Sequence, residues 1–166
     1  MTNKFTFEPD MAAKTIRMTR EFNAPVEKVW KAHTDPDLIA KWMGPKPFAA
    51  LIKKWDFTVG GIWLYTLVGP NGPGAWWTRM EFTAIDHGKS FSATGSFSDE
   101  EGNDSAPDAP RTYRDVDFIS LEDNRSRLDT VIKFTHDETI KMFAEGGFKE
   151  GMIACFDQLD ELMAAE

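Results

Sequence analysis

The chain has 166 residues, 42% of them hydrophobic and 28% charged, and its 27 acidic residues outnumber its 19 basic residues to give a net charge of −8. This composition is typical of a soluble globular protein that folds as one domain. The sequence has no basic cluster of the kind that binds nucleic acid, so we expect no nucleic-acid partner. No apolar run approaches the ~20 residues of a membrane span, and no signal peptide is recognisable. The one cysteine, Cys155, excludes an intrachain disulfide. These features predict a cytoplasmic protein without a membrane association.

The unusual feature of the composition is its aromatic content, 13% of the residues, with 13 Phe and 6 Trp. Most of these rings are expected in an ordinary packed core. Some are candidates for lining a pocket that holds a flat or apolar molecule. Composition alone leaves both interpretations open.

The chain is predicted to open with one strand and two short helices. We expect residues 1–13 to be a flexible lead-in and residues 14–166 to form a single domain. Apolar and polar residues alternate from Lys14 to Phe22, which predicts a strand. Pro25 and the Asp35-Pro36 pair each predict a helix start, because proline is favoured at the first helical position and aspartate just before it.

From residue 49 onward the apolar period changes to two, which predicts antiparallel strands with one apolar and one polar face. Turn-forming pairs such as Gly60-Gly61 and Asp123-Asn124 separate them. Residues 99–111 are the one stretch of low hydrophobicity and predict a mobile loop between two strands. The predicted strands are Ala49–Phe57, Ile62–Val68, Trp76–Asp86, Lys89–Phe97, Tyr113–Glu122 and Arg125–Phe134.

A long amphipathic helix is predicted at the end of the chain. The segment Phe148–Ala165 carries Met152, Cys155, Phe156 and Leu159 at three- and four-residue steps, on one helix face. A helix with so broad an apolar face needs a concave partner, and a curved sheet supplies one. A shorter helix, ended by two glycines, is expected just before it.

A search of the sequence for catalytic or metal-binding patterns finds none. The histidines, His33, His87 and His136, are isolated and lie in no metal-ligand spacing. Cys155 falls on the apolar helix face, where a thiol is poorly ionised. We therefore predict no catalytic residue, no metal and no cofactor.

Two aspartates on one predicted strand were candidates for paired carboxylates. Asp115 and Asp117 alternate with Val116 and Phe118 along the chain. Because successive strand residues point to opposite faces, we expect both aspartates to face solvent.

The remaining candidate site is a cavity between the sheet and the final helix. Residues of several strands would face that helix, and methionine is adaptable enough to line an apolar site of low specificity. Tyr65, Thr78 and Arg79 are the nearby polar residues for orienting a ligand. The candidate pocket residues are Trp42, Trp63, Tyr65, Trp76, Thr78, Met80, Phe82, Phe91, Phe143, Met152 and Phe156.

Three segments of the sequence resemble the START-like (SRPBCC) superfamily. Residues 20–45 are similar to its opening motif, and residues 56–63 to an Asp-x-x-Val-Gly-Gly-x-aromatic segment of the branch named after the heat-shock-protein-ninety ATPase activator homologues (AHSA). Residues 148–159 resemble the terminal motif of that branch, which usually has tryptophan where this chain has Met152. The resemblance implies an α+β helix-grip fold of order β-α-α-β-β-β-β-β-β-α, with a curved antiparallel sheet wrapped around the C-terminal helix.

The sequence thus predicts a protein that binds a small hydrophobic or aromatic molecule in that cavity. Two alternatives stay open. One is an enzyme that resembles the polyketide cyclases and hydrolases of the superfamily, with Tyr65, His33 or Asp56 as the general acid or base. The other is an interaction module, chaperone-linked or homodimeric, that uses exposed apolar residues such as Trp77.

Overall fold

The computed structural model describes residues 3–74 and 76–165, so the first two residues of the predicted lead-in lie outside the described range. The strands are β1 (Phe5–Asp10), β2 (Thr15–Phe22), β3 (Ala49–Trp55), β4 (Ile62–Gly69), β5 (Gly72–Pro73), β6 (Trp77–Asp86), β7 (Ser90–Ser98), β8 (Arg111–Ser120) and β9 (Ser126–Phe134). The helices are α1 (Val26–Thr34), α2 (Pro36–Trp42), α3 (Asp137–Glu145) and α4 (Phe148–Ala165). In the described ranges, no helix is both long enough and apolar enough to cross a membrane.

The strands form one antiparallel sheet in the order β1-β2-β9-β8-β7-β6-β4-β3, with β5 paired to β4. The sheet is curved and does not close on itself. Helix α4 lies across its concave face, where Phe156 packs edge-on against Phe22 of β2 at 5.6 Å between ring centroids. This arrangement confirms the predicted α+β helix-grip fold, and the strands predicted between residues 49 and 134 are all present with small shifts at their ends.

Strand β1 corrects the prediction that residues 1–13 are a flexible lead-in. Residues 5–10 pair with β2, with Phe5 opposite Arg20. The strand lies at the edge of the sheet, where the missing N–H of Pro9 is tolerated. Phe5 also packs against Phe156 of α4, at 6.3 Å between ring centroids, so this segment belongs to the domain.

Side chains between the sheet and the helices form two core clusters. The larger cluster includes Phe22, Trp42, Phe82, Phe156 and Leu159. The smaller cluster lies next to α3 and contains Ile16, Met18, Ile132, Phe134 and Ile140. Met152 of α4 packs against both clusters and so connects them.

The segment between β7 and β8 folds back onto the outer face of the sheet, although the sequence predicts a mobile loop there. Lys54 of β3 donates a hydrogen bond to the carbonyl oxygen of Glu101 at 2.9 Å. Arg79 of β6 donates through Nε to the carbonyl oxygen of Gly102 at 3.1 Å. Basic side chains of the outer face therefore hold the acidic segment in place, which a local hydrophobicity pattern does not reveal.

This segment helps to cover the apolar side chains of the outer face. Gly102 lies against Leu64, which is 0% exposed. Trp77 is only 8% exposed, and the ammonium group of Lys53 lies 5.8 Å from its ring centroid. The expectation that Trp77 offers an exposed apolar surface to a protein partner is therefore wrong.

A buried ion pair connects α4 to the sheet. Arg20 of β2 lies on the concave face and is 4% exposed. Its Nη2 donates to Oδ1 of Asp157 at 2.8 Å and to Oδ2 of Asp160 at 2.7 Å, both on α4. The guanidinium also lies over the rings of Phe22 and Phe156, at 5.0 and 5.9 Å from their centroids. Charged hydrogen bonds and cation–π contacts together fix the helix against β2.

We expect Arg20→Ala to lower the free energy of unfolding by roughly 2–4 kcal/mol, because it removes charge-assisted hydrogen bonds and a buried side-chain stem. Arg17 is exposed on the opposite face of the same strand. Arg17→Ala is therefore the matched control and should change stability by no more than about 0.5 kcal/mol. Urea denaturation followed by circular dichroism measures both, and equal effects of the two substitutions would contradict the role assigned to Arg20.

Candidate functional site

The candidate site lies on the concave face, where β4, β6, β7 and β8 run side by side. The strand register arranges inward-facing residues of these strands in rows. The first row is Trp63, Met80, Gly95 and Thr112, and the next is Tyr65, Thr78 and Phe97. The first row is buried, whereas the second is partly exposed.

The second row marks a part of the concave face that is incompletely covered. Phe97 is 40% exposed and Trp76 is 70% exposed, and their ring centroids lie 5.8 Å apart. Tyr65 and Thr78 remain half-buried. We call the opening formed by Tyr65, Trp76, Thr78 and Phe97 the open corner.

Polar groups from four elements come together beside the open corner: Tyr65 of β4, Thr78 of β6, Arg114 of β8 and Cys155 of α4. Burial raises the pKa of Tyr65. The positive charge of Arg114 and a hydrogen bond with Thr78 act in the opposite direction and lower this pKa. Cys155 makes a small further contribution that raises it. Tyr65 and Thr78 are direct partners across the β4–β6 ladder, and Arg114 and Cys155 carry the other groups whose charges act on Tyr65. Burial also raises the pKa of the Cys155 thiol, so both the phenol and the thiol are neutral at pH 7. We call the four residues the polar cluster.

The inward-facing residues of β7 beside this region, Ala93 and Gly95, are small. Ala93 is paired with Arg114 across the β7–β8 ladder. Gly95, the next inward-facing residue of β7, has no side chain. A Cβ atom added there would lie 2.6 Å from Oγ1 of Thr112 and 2.8 Å from Sδ of Met80, so a larger residue does not fit. Burial lowers the pKa of Arg114, as expected for a cation removed from water.

Two N–H donors in this region have no acceptor. Nε of Arg114 and Nε1 of Trp63 are buried without a hydrogen-bond partner among the described residues. The Trp63 ring stacks on Tyr65, with 4.5 Å between centroids and 24° between planes, so its indole lies next to the polar cluster. A buried donor without an acceptor costs about 1–3 kcal/mol. A molecule that supplies acceptors at this position would recover that free energy.

The structure separates the predicted pocket residues into distinct environments. The residues at the polar cluster, the open corner or the adjoining face of α4 are Trp63, Tyr65, Thr78, Met80 and Met152. The residues that belong to the aromatic interior are Trp42, Phe82, Phe91 and Phe156. Phe143 lies in the smaller core cluster, against Phe134 at 5.0 Å between centroids. Trp76 lies at the rim of the open corner, outside the core.

Sequence reasoning missed Arg114, although a signal for it was present. The alternation that turns Asp115 and Asp117 outward places Arg114 on the inner face with Val116 and Phe118. Both aspartates are indeed exposed, and Val116 and Phe118 are buried. The predicted polar residue Arg79 instead faces outward, where it binds the segment between β7 and β8.

Of the three residues considered for an enzyme, only Tyr65 belongs to the polar cluster. Nδ1 of His33 donates to the carbonyl oxygen of Val29 at 2.8 Å, and its ring centroid lies 4.8 Å from that of Trp42. Asp56 is exposed between β3 and β4. In the part of the chain that the structure describes, no three His, Cys, Asp or Glu side chains come together to hold a metal ion.

Two hollows on the described surface lie away from the polar cluster. One, of about 370 Å³, lies along α3 and includes Met142. The other, of about 430 Å³, lies between α2 and β3 and includes Ala40 and Ile52.

A family model described as "Activator of Hsp90 ATPase homolog 1-like protein" matches residues 23–164. The chain belongs to this family. Membership of the AHSA1 family confirms the resemblance seen in the sequence motifs and agrees with a fold of the ligand-binding type. A search among curated proteins finds no match.

Solved structures share the fold over nearly the whole chain. The crystal structure of protein Ms6760 from Mycobacterium smegmatis is similar at 29% identity with a TM-score of 0.84, covering 98% of this chain and 99% of that chain. The solution structure of a protein from Arthrobacter aurescens is also 29% identical, with a TM-score of 0.83 and coverage of 97% and 92%. CalU16 from Micromonospora echinospora, at 13% identity and a TM-score of 0.61 with coverage of 99% and 90%, shares the fold alone.

The position of His33 predicts that the folded state loses stability in acid. Burial lowers the pKa of His33 from 6.5 to about 4. Above pH 6.5 the imidazole is neutral in both the folded and the unfolded chain, so it adds no pH dependence there. As the pH falls from 6.5 toward 4, the unfolded chain binds a proton that the folded chain does not, so stability decreases. Between about pH 7.5 and about pH 5.5 this loss is about 1 kcal/mol.

We expect His33→Asn to reduce this pH dependence, because the variant has no imidazole while its amide can still donate to Val29. Urea denaturation at the two pH values measures the difference. His87 is exposed, so His87→Asn is the control and should keep the wild-type slope. An unchanged slope in His33→Asn would show that the titration of His33 is not responsible.

Proposed function

We propose that the protein binds a small hydrophobic or aromatic molecule between the sheet and α4, entering at the open corner. The main support for this proposal is that part of the concave face is not fully buried. Tyr65 and Thr78 stay half-buried there, and the rings of Trp76 and Phe97 are exposed at the rim. Ligand sites are typically concave and mostly apolar, with a few polar groups that orient the ligand. The open corner and the polar cluster supply both elements.

Adaptable side chains next to the polar cluster support this proposal. Met80 is buried beside Gly95, and Met152 is half-buried on α4, one helical turn before Cys155. Methionine has flexible bonds and a polarizable sulfur, so it can change rotamer to make room for a ligand at low cost. A ligand can thus enter without disturbing the rigid aromatic interior.

Apolar contact alone supplies only part of the affinity expected of such a site. A flat molecule that buries roughly 200 Å² of apolar surface gains about 5 kcal/mol at ~25 cal/mol per Å², before the cost of immobilisation. A free energy of that size corresponds to a dissociation constant of about 0.2 mM at best. Tighter binding requires polar contacts in the interior, and the unpaired N–H groups of Arg114 and Trp63 are available for them.

The alternative of an interaction module is weakened by the position of Trp77. Trp77 is the example of an exposed apolar residue that this alternative names, and it is buried on the outer face.

We expect at least one apolar compound to stabilise the protein in a saturable manner. Native mass spectrometry of the purified protein, followed by a thermal-shift screen of fatty acids, flavonoids, sterols and polycyclic aromatics, tests this. At a ligand concentration of about 100 times Kd the stabilisation is about 2.7 kcal/mol, which corresponds to an increase in Tm of about 5–10 °C. A screen in which no compound binds or raises Tm would overturn the proposal.

Two matched substitutions locate the binding site. Met152→Trp places a large ring on the face of α4 beside the polar cluster, so we expect it to weaken binding at least about tenfold, or about 1.4 kcal/mol. Met142 is 49% exposed on α3, and Met142→Trp should leave the affinity unchanged. Isothermal titration calorimetry with the best compound of the screen compares the two variants. Equal affinities would place the ligand elsewhere.

A further inference from the structure

We propose that the ligand of this site carries a carboxylate group, which Arg114 and the indole N–H of Trp63 bind in the interior. This inference rests on the function proposed above and specifies the chemical class of the ligand. It depends on two observations: the buried Nε of Arg114 has no hydrogen-bond partner among the described residues, and neither does the buried Nε1 of Trp63.

Arg114 differs from the other arginines whose side chains are buried or half-buried. Among the described residues, each of the others forms an ion pair with a carboxylate. The pairs are Arg20 with Asp157 and Asp160, Arg79 with Glu81 and Asp104, Arg111 with Asp104, Arg125 with Glu21, and Arg127 with Asp129. Arg114 has no ion pair or hydrogen bond with any described residue. Arg114 is half-buried, and its Nε is buried without an acceptor, which is costly for a charged donor, so an anion at this position is favoured.

The neighbouring polar groups do not neutralise Arg114. Burial keeps the pKa of the Tyr65 phenol above its usual value, so the phenol is protonated at pH 7. The Cys155 thiol is likewise protonated, because burial raises its pKa. Thr78 has no charge. The guanidinium itself remains charged, since arginine does not lose its proton in proteins. The polar cluster therefore has a net positive charge inside an apolar interior.

The available donors match a carboxylate better than a more highly charged anion. A guanidinium presents Nε and a terminal nitrogen side by side, and this edge binds the two oxygens of a carboxylate in parallel. The indole N–H of Trp63, which is 8% exposed, adds one further donor from the β4 side. A phosphate dianion would require additional cations, whereas the other inward-facing arginine, Arg20, is already paired with two aspartates.

The remainder of the ligand is apolar. Tyr65 and Trp63 offer a stacked aromatic surface, and Met80 and Met152 form an adaptable wall. The opening leads outward past Phe97 and Trp76. The structure therefore favours an aromatic or aliphatic carboxylic acid, bound with its carboxylate inward and its apolar end toward the open corner.

Matched acid and amide pairs test this inference. The probes are 2-naphthoic acid with 2-naphthamide, and dodecanoic acid with dodecanamide, each titrated at neutral pH by calorimetry. We expect the acid of a pair to bind roughly 10- to 100-fold more tightly than its amide, the range for hydrogen bonds to a charged group. Arg114→Gln should remove this preference while the amide still binds, and Arg114→Lys should retain part of it. The outer-face variant Arg79→Gln is the control and should preserve the full preference.

A second measurement keeps the test independent of the stability of the variants. In the wild-type protein, the NMR signals of the Trp63 indole N–H and the Arg114 Nε–H should shift on addition of the acid and much less on addition of the amide. Equal binding of acid and amide would overturn the role of Arg114 and leave the proposed apolar site intact. A preference for the acid that survives in Arg114→Gln would also overturn it. If no acid or amide binds, this inference fails, whereas the proposed function is decided by the wider screen described above.

Discussion

The ion pair between Arg20 and helix α4 is the constraint on which the rest of the interior depends. The guanidinium is buried, so it must meet Asp157 and Asp160 whenever the helix docks, because a buried cation without a partner costs several kcal/mol. This contact holds α4 against the β2 side of the concave face, where Phe156 packs on Phe22. One helix held there does not cover the whole width of the sheet. The open corner on β4, β6 and β7 follows from the position of the helix.

The two arginines on the concave face differ in whether the chain itself neutralises their charge. Arg20 is neutralised by carboxylates that the chain itself supplies, and its charge contributes to docking. Arg114 lies on β8 with neutral neighbours, and its charge has no counter-ion among the described residues. Replacement of Arg114 by an apolar residue would be expected to stabilise the free protein, because it removes an uncompensated buried charge. A residue that reduces stability in the free protein is consistent with a role in binding.

Most of the fold was predictable from local patterns, whereas the site was not. Alternation with a period of two located the strands from residue 49 to 134, and helix periodicity located α4. Strand β1 was missed because it is short and contains proline, although Phe5 and Phe7 alternate as an edge strand requires. The position of residues 99–110 depends on basic residues of β3 and β6 that are distant in sequence. The candidate site depends on strand register, since only pairing brings Arg114 next to the small residues of β7.

Met152 of α4 is the position at which this chain departs from the motif of the family that it resembles, and it also lies in the interior. The terminal motif that this chain resembles usually has tryptophan at position 152, and a large rigid ring there would occupy more of the interior between the two core clusters than Met152 does. Met152 is half-buried and flexible in this chain, so the same space can be closed without a ligand and opened with one. Across the sheet, Ala93 is a small partner for Arg114 in the β7–β8 ladder. The combination of a small neighbour for Arg114 and an adaptable side chain on α4 is what allows a ligand to reach the guanidinium.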